Sequence, residues 1–183
     1  QEMSGPAIAS REDAESLRSV VDRTTPHVAL WWGELNGFNT ATELGAYGIG
    51  GDLVIDGSIG SHTAAFCDPY ADAKHEGVLY QDNDALQAHI ERALDVGMPA
   101  AFHAIGDAAV AQLLDVYDAV AQRVGTDRIR AARHRIEHCE LVRDGDLSRL
   151  VEYGLIASVQ PLFDAAWGGA AGMYAARLGS ERA

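Results

Sequence analysis

Two histidines, His103 and His138, each end a short apolar segment, and helix-forming segments follow. Neutral imidazole is the commonest metal ligand in proteins, and a catalytic zinc ion typically has three protein ligands and a water. A single histidine in such a position is more often a hydrogen-bonded core or loop residue. Because the same placement occurs twice in succession, we predict that both side chains bind a metal ion.

The segments around these histidines alternate between apolar runs typical of buried parallel strands and helices with a 3.6-residue apolar period. The pattern predicts an α/β fold with strands at about 28–32, 52–55, 100–104, 135–139 and 156–160. Helices are predicted at 11–22, 84–96, 107–124 and 146–153, with capping roles for Asp84 and Asp107. Parallel strands need right-handed crossovers. Both histidines then lie at carboxyl strand ends, where α/β enzymes place their chemistry.

Composition narrows the classes of partner. The 183 residues carry 14 Lys and Arg against 27 Asp and Glu, and the net charge of −13 disfavours nucleic acid and anionic membrane surfaces. The two cysteines, Cys67 and Cys139, lack the spacing of a zinc finger or redox motif and fit a reducing compartment. There is no apolar stretch of about 20 residues and no signal-peptide pattern. We therefore expect a cytoplasmic protein.

Five short motifs occur in order along the chain. They are Asp56-Gly57-Ser58-Ile59-Gly60-Ser61-His62-Thr63-Ala64-Ala65, Pro69-Tyr70-Ala71-Asp72, His103-Ala104-Ile105-Gly106-Asp107, Arg135-Ile136-Glu137-His138 and Ser158-Val159-Gln160-Pro161. Together they resemble the amidohydrolase superfamily, specifically its YtcJ-like branch (amidohydrolase family 3), which is related to the N-substituted formamide deformylases. The resemblance extends over residues 45–183, and five motifs in order are more specific than any one of them.

This resemblance implies part of a distorted (β/α)8 TIM-type barrel, with residues 1–183 as its central portion and the N-terminal and C-terminal parts absent. His103 and His138 match the family's histidine ligands after the fifth and sixth strands. The implied reaction is hydrolysis of a non-peptide C–N bond in a small amide-like substrate by a metal-activated water, with an aspartate moving the proton. The implied cofactor is a divalent metal, and the ligand type favours zinc.

The chain departs from the family pattern in three places. The His-x-His motif of the first strand is missing, and the catalytic aspartate expected after the eighth strand would lie beyond the C-terminus, so the catalytic residue is unknown. Asp52 stands where many relatives have a carboxylated lysine that bridges two metals. Asp52 is therefore a further candidate ligand, although a single-metal site with Asp52 as a hydrogen-bonded strand residue is favoured.

Other residues are candidates for contact with the substrate or support of the ligands. Asp56 either lines the pocket or binds the amides of its own loop. Ser58 either helps to hold an anion or belongs to a plain turn, and Gln160 either binds the substrate carbonyl or anchors a loop. Asp107 is predicted as a helix cap in preference to a residue that acts directly in catalysis, and its closeness to His103 also makes it a candidate to support that ligand.

Three more positions receive structural predictions. Glu137 is expected to point away from His138, toward the helices, with an arginine partner. His134 lies about 13 Å deeper along the strand than His138, too far to share an ion, and is expected to be structural. Trp167 stands in a glycine-rich loop that could cover the site.

Two functions remain open. The first is a hydrolase whose active site this chain carries only in part. The second is a non-catalytic truncated barrel that at most binds a metal or ligand and self-associates through its open sheet edges.

Overall fold

The computed structural model describes residues 2–6, 9–21 and 27–182, without the side chains of residues 2–4 and 52. Its strands are β1 Glu2–Ser4, β2 Leu30–Trp32, β3 Gly48–Val54, β4 Ala100–Ala104, β5 Arg135–His138 and β6 Ile156–Ser158. Its helices are α1 Arg11–Val21, α2 Phe38–Leu44, α3 Asn83–Val96, α4 Asp107–Val124, α5 Thr126–Ala132, α6 Asp144–Tyr153, α7 Pro161–Trp167 and α8 Met173–Leu178. No helix in these described stretches is long and apolar enough to cross a membrane.

The strands form one sheet in chain order, β1-β2-β3-β4-β5-β6, and every neighbouring pair is parallel. The predicted α/β class and parallel sheet are therefore confirmed. All five predicted strands are present, although β3 begins at Gly48 rather than Asp52. The start of β3 was not predicted because glycines interrupt the apolar pattern there. Gly50 and Gly51 have positive φ, and the β3–β4 register shifts between Gly50 and Leu53. The short elements β1, α2, α5, α7 and α8 were not predicted.

The main core lies between the sheet and its helices. Phe102 of β4 and Ile136 of β5 are register neighbours and point into this layer. Both are fully buried, as are Leu113 and Leu114 of α4. His134 belongs to the same layer: it has no exposed surface, and its Nδ1 lies 2.9 Å from the Tyr117 hydroxyl. The predicted structural role of His134 is thereby confirmed.

Two predicted helix caps are wrong. The cap of α3 is Asp82, whose Oδ1 accepts a 2.7 Å hydrogen bond from the Ala85 amide, so Asp84 lies inside the first turn. At α4 the cap position is Gly106, and Asp107 is the first helical residue. The Asp107 carboxylate instead accepts a 2.9 Å hydrogen bond from the backbone of Cys67 and so ties α4 to the loop after β3.

Candidate metal site

His103 and His138 come together as predicted. Their rings, at the carboxyl ends of the neighbouring strands β4 and β5, have centroids 4.5 Å apart and planes inclined by 65°. Both side chains are mostly buried, with 13% and 19% exposed. Two imidazoles in this arrangement face one region of space at the end of the sheet.

A backbone turn brings the His138 ring to this position. The register pairs Ala104 with His138, so a regular pleat would place the His138 side chain on the helix side with Ala104, opposite His103. His138 and Cys139 instead have φ angles of 70° and 51°, which are uncommon for residues other than glycine. The Cys139 amide donates to Ala104 O at 2.9 Å and holds the turn.

The same turn corrects the prediction for Glu137. Its register partner is His103, so Glu137 points to the His103 face of the sheet and not toward the helices. The predicted arginine partner is confirmed, since Arg135 Nε and Nη2 donate to the two Glu137 oxygens at 2.9 and 3.1 Å. Arg135 also donates to Ser158 Oγ at 2.8 Å and lies over the Trp31 ring. Glu137 therefore belongs to a paired network on the barrel side of the sheet.

Asp56 has no exposed surface, and its carboxylate accepts hydrogen bonds from three backbone amides. The donors are Ala65 and Gly106 at 2.8 Å and Ile105 at 3.0 Å. Burial raises the pKa of Asp56, while these three bonds act in the opposite direction. Asp56 therefore does not line the pocket as one of its two predicted roles required, because the loops after β3 and β4 enclose the carboxylate. Its alternative role as a ligand for loop amides is the one that the structure shows.

The loop after β3 also fixes the His103 ring. His103 Nε2 lies 3.0 Å from the Gly57 carbonyl oxygen and 3.9 Å from Asp56 Oδ1. A carbonyl can only accept, so Nε2 carries the proton in this contact, and the lone pair of the neutral ring resides on Nδ1. The contact thus selects the ring nitrogen suited to bind a cation.

Both histidines line a cavity of about 320 Å³. Ser58 reaches it, as a substrate-contacting role requires. The remaining wall is largely apolar and is formed by Ile59, Gly60, Ile105, Glu140, Phe163, Trp167, Met173 and Tyr174. Trp167 lies at the end of α7 rather than in a loop. Its ring packs on the Phe163 ring, with centroids 4.7 Å apart.

A second cavity of about 300 Å³ lies on the other side of His138 and is lined by Gln160. The Gln160 amide nitrogen donates to Ser158 O at 3.0 Å, so the side chain anchors its own loop at one end. Its carbonyl end, Oε1, is buried and has no hydrogen-bond partner in the described part of the chain. The structure therefore shows the loop-anchoring role of Gln160. The unpartnered Oε1 can only accept a hydrogen bond, so contact with a substrate carbonyl requires the second N–H of the amide nitrogen.

Sequence reasoning missed Glu140 and Tyr174. Glu140 borders both cavities, and its Oε1 lies 3.8 Å from His138 Nδ1. The Tyr174 hydroxyl donates to Glu140 Oε2 at 2.8 Å. Burial raises the pKa of Glu140. No sequence signal links these residues, because 34 positions separate them and α8 is short.

These residues fit part of a metal site. Two imidazoles and a carboxylate on one cavity are donor types that divalent transition metals take. Within the described residues, however, no three His, Cys, Asp or Glu side chains stand close enough to hold an ion as placed. The Asp52 side chain lies outside the described residues. His103 and His138 therefore supply two ligands, and the described residues leave the set incomplete.

A parallel sheet with two histidines at the carboxyl ends of neighbouring strands is the arrangement expected of an α/β enzyme with its site at that end of the sheet. The sequence model of a protein family described as the amidohydrolase family matches residues 2–183. The chain belongs to this family.

The curated relatives are much longer. The chain is 40% identical over 132 residues to the protein LONG AFTER FAR-RED 3 of Arabidopsis thaliana, covering 70% of this chain and 21% of the relative. It is 30% identical over 113 residues to the putative amidohydrolase YtcJ of Bacillus subtilis (strain 168), covering 61% and 20%. The chain thus spans about a fifth of the length of these relatives.

Two solved structures have the same fold. One is an uncharacterized metal-dependent hydrolase from Pyrococcus furiosus, with a TM-score of 0.71 and 28% identity over 98% of this chain and 37% of that one. The other, from Pyrococcus horikoshii OT3, has a TM-score of 0.69 and 27% identity over 91% and 34%. The prediction of a partial TIM-type barrel is confirmed by these likenesses.

Proposed function

We propose that the protein to which this chain belongs hydrolyses a non-peptide C–N bond in small amide-like molecules, using a divalent metal held by His103 and His138. The observation that carries the proposal is the pair of imidazoles 4.5 Å apart on one cavity at the carboxyl ends of β4 and β5. Membership of the amidohydrolase family supports a hydrolytic reaction. We include zinc as the metal because imidazole ligands suit it.

A bound divalent ion supplies Lewis acidity, which polarises a carbonyl oxygen and lowers the pKa of water. The chain's own residues hold and orient the ligands. The Gly57 carbonyl fixes His103, and the Phe163 ring stacks on His138 with centroids 5.9 Å apart. Asp52 stays a candidate for a further ligand. The group that moves the proton is not assigned among the described residues.

The cavity suits a small organic substrate. Its volume of about 320 Å³ falls near the lower end of ligand sites, roughly 300–1,000 Å³. Apolar side chains exclude water from one side of this cavity, and the Ser58 hydroxyl can donate a hydrogen bond to a substrate carbonyl. Gln160 lines the neighbouring cavity, where the second N–H of its amide nitrogen can do the same. The net charge of −13 disfavours a nucleic-acid partner. The two free cysteines support a location in the cytoplasm.

Metal content tests the proposed site. The 183-residue chain, purified without chelator, is analysed for zinc beside a His103→Ala, His138→Ala variant. The matched control is a His62→Ala, His75→Ala variant, which also removes two histidines but from the loop that follows β3. About one zinc per chain in the wild type and control, and none in the site variant, supports the proposal. Equal zinc in all three proteins, or none in any, rejects a site held by these two histidines.

A second candidate is self-association without catalysis. Strand β6 is an edge of the sheet, and exposed apolar side chains occur in the segments that precede and follow it in the sequence: Val151 of α6 by 72%, Val159 by 57% and Leu162 of α7 by 79%. Exposed apolar groups along an open strand edge favour pairing with another chain, here a second copy. Size-exclusion chromatography separates the possibilities, because a Val159→Lys, Leu162→Lys variant should elute as a monomer if this edge forms the contact.

A further inference from the structure

The Glu140 carboxylate lies beside the Nδ1 side of His138, one of the two proposed metal ligands. Its Oε1 is 3.8 Å from His138 Nδ1, and only 13% of its side chain is exposed. A mostly buried carboxylate needs a compensating partner. Glu140 makes no ion pair with an arginine or lysine of the described residues, and its closest donors are the Tyr174 hydroxyl and the His138 ring.

This placement matches the support that metal-bound histidines usually have. Such a histidine donates its second N–H to a carboxylate, a carbonyl or water, which fixes the tautomer and the ring orientation. A proton on Nδ1, facing Glu140, puts the lone pair of the neutral His138 ring on Nε2. The present 3.8 Å separation is wider than a hydrogen bond by about 0.6 Å, so the bond requires the Glu140 side chain to move closer to the ring by that amount. Hydrogen bonds at such sites are often long before ligands bind.

Tyr174 holds Glu140 in this position. Its hydroxyl donates to Oε2 at 2.8 Å, so Oε1 is left toward His138. Tyr174 lies on α8, which Arg177 fastens to the loop after β3 through an ion pair with Asp72 and a 3.4 Å hydrogen bond to Gly60 O. The orientation of Glu140 therefore depends on the docking of α8.

We propose that Glu140, held by Tyr174, is a positioning residue that keeps the His138 proton on Nδ1 and thereby presents Nε2 to the metal. This inference rests on the proposed function for the metal-binding role of His138. The tautomer itself does not depend on a metal and can be measured without one.

Two measurements on the 183-residue chain at pH 8 test the proposal. Long-range ¹H–¹⁵N correlation spectra of the metal-free protein report the His138 tautomer, with the signal assigned by its loss in His138→Ala. Competition with a chromophoric chelator reports zinc affinity. The variants are Glu140→Gln and Tyr174→Phe. Tyr153→Phe is the matched control because it removes the same kind of tyrosine–carboxylate bond, to Asp118, away from the site.

In the wild type and in Tyr153→Phe we expect the Nδ1–H tautomer. In Glu140→Gln we expect a shift toward the Nε2–H form and zinc affinity lower by about 10- to 100-fold, with a smaller decrease in Tyr174→Phe. An unchanged tautomer and affinity in Glu140→Gln would overturn the positioning role while leaving the metal site intact. A wild type that binds no zinc would overturn the part of the proposed function that this chain carries, a zinc site held by His103 and His138, and the tautomer spectra would then decide the role of Glu140 alone.

Discussion

The Asp56 carboxylate accepts a 2.8 Å hydrogen bond from the Gly106 amide, 50 positions away in the sequence. The amides of Ile105 and Ala65 bind the same carboxylate. The loop after β3 and the loop after β4 are therefore joined at one buried group, directly beneath the His103 ring. Substitutions in this junction should affect stability and the metal site together.

Asp56→Asn should be strongly destabilising. The amide nitrogen that replaces one oxygen cannot accept a hydrogen bond, so at least one buried backbone N–H loses its partner at a cost of about 1–3 kcal/mol. Urea unfolding at pH 7 measures the change. Asp68→Asn, on the exposed part of the same loop, is the control and should lie within about 0.5 kcal/mol of the wild type. Equal stability of the two variants would contradict the junction.

Gly106→Ala tests the closeness of the same two loops. A Cβ atom at Gly106 would lie 1.9 Å from Ala65 O, so the backbone must shift. We expect a loss of about 1–3 kcal/mol, typical of forced overpacking. Gly145→Ala is the matched control, since a Cβ there meets nothing within 4 Å and the residue lies exposed in α6. It should stabilise the protein by up to about 1 kcal/mol, and a stabilising Gly106→Ala would show that the loops are not in contact.

Stability should fall with acid between about pH 6.5 and pH 4. Burial lowers the pKa of both His89 and His134 from 6.5 to about 4. The unfolded chain then binds more protons than the folded chain in this interval, so the free energy of unfolding decreases as the pH falls, by up to about 3 kcal/mol per histidine. Urea unfolding at pH 7, 6 and 5 measures the slope.

The buried carboxyl groups act with the opposite sign. The raised pKa values of Asp56 and Glu140 favour the folded state at low pH, and that stability is lost as the pH rises through the pKa values of these groups in the folded chain.

A His134→Phe variant isolates the histidine contribution. It should be less stable at pH 7 and show a slope reduced by up to one proton between pH 6 and 5. An unchanged slope would exclude His134 as a source of the pH dependence.

Arg149→Met should destabilise the packing of α6 on α4. The Arg149 guanidinium pairs with Asp115 at 2.7 Å, Asp118 at 2.5 Å and Asp146 at 2.9 Å, and the Asp146 residue is 3% exposed. Loss of the cation leaves a buried carboxylate with one partner fewer and should cost about 3 kcal/mol. Arg128→Met, at an exposed pair with Asp95, should cost less than about 1 kcal/mol. Similar urea midpoints for the two variants would contradict this difference.

Zinc should stabilise the folded chain through His103 and His138. A ligand at 100 times its dissociation constant adds about 2.7 kcal/mol to the free energy of unfolding. Thermal unfolding with and without zinc should therefore show a higher Tm with zinc in the wild type and no shift in the His103→Ala, His138→Ala variant. Equal shifts in both would place the zinc elsewhere, and chelator should reverse the wild-type shift.

The parallel α/β class and the strand-end positions of the two histidines could be predicted because they depend on local patterns, whereas the barrel followed from the resemblance to the amidohydrolases. Apolar runs and the 3.6-residue period reveal β4, β5 and the helices that follow them. Parallel strands bring their carboxyl ends to one edge of a sheet, so the closeness of His103 and His138 follows from the strand ends. The turn at His138 that places both rings on one face does not.

The rest depends on contacts distant in sequence. The face of Glu137 was assigned wrongly because alternation ends at His138, whose positive φ has no signal in the residue type. The partners of Asp56 lie 9, 49 and 50 positions away. The bond between Glu140 and Tyr174 requires α8 to return across the site, and a six-residue helix gives too little periodicity to predict.

The order of the sheet bears on how the chain acquires its structure. Each strand pairs with the strand that precedes it in the sequence, from β1 to β6. Within the described residues, pairing thus joins strands that follow each other in the sequence, and the segment between two paired strands contains one or two helices. Pairing between strands that are consecutive in the sequence closes shorter segments than pairing between distant strands would, and this lowers the entropic cost of closure. The contacts of His103 with Gly57 and Asp56 likewise join residues of the single unit from β3 to β4, so they need no residue that follows β4 in the sequence.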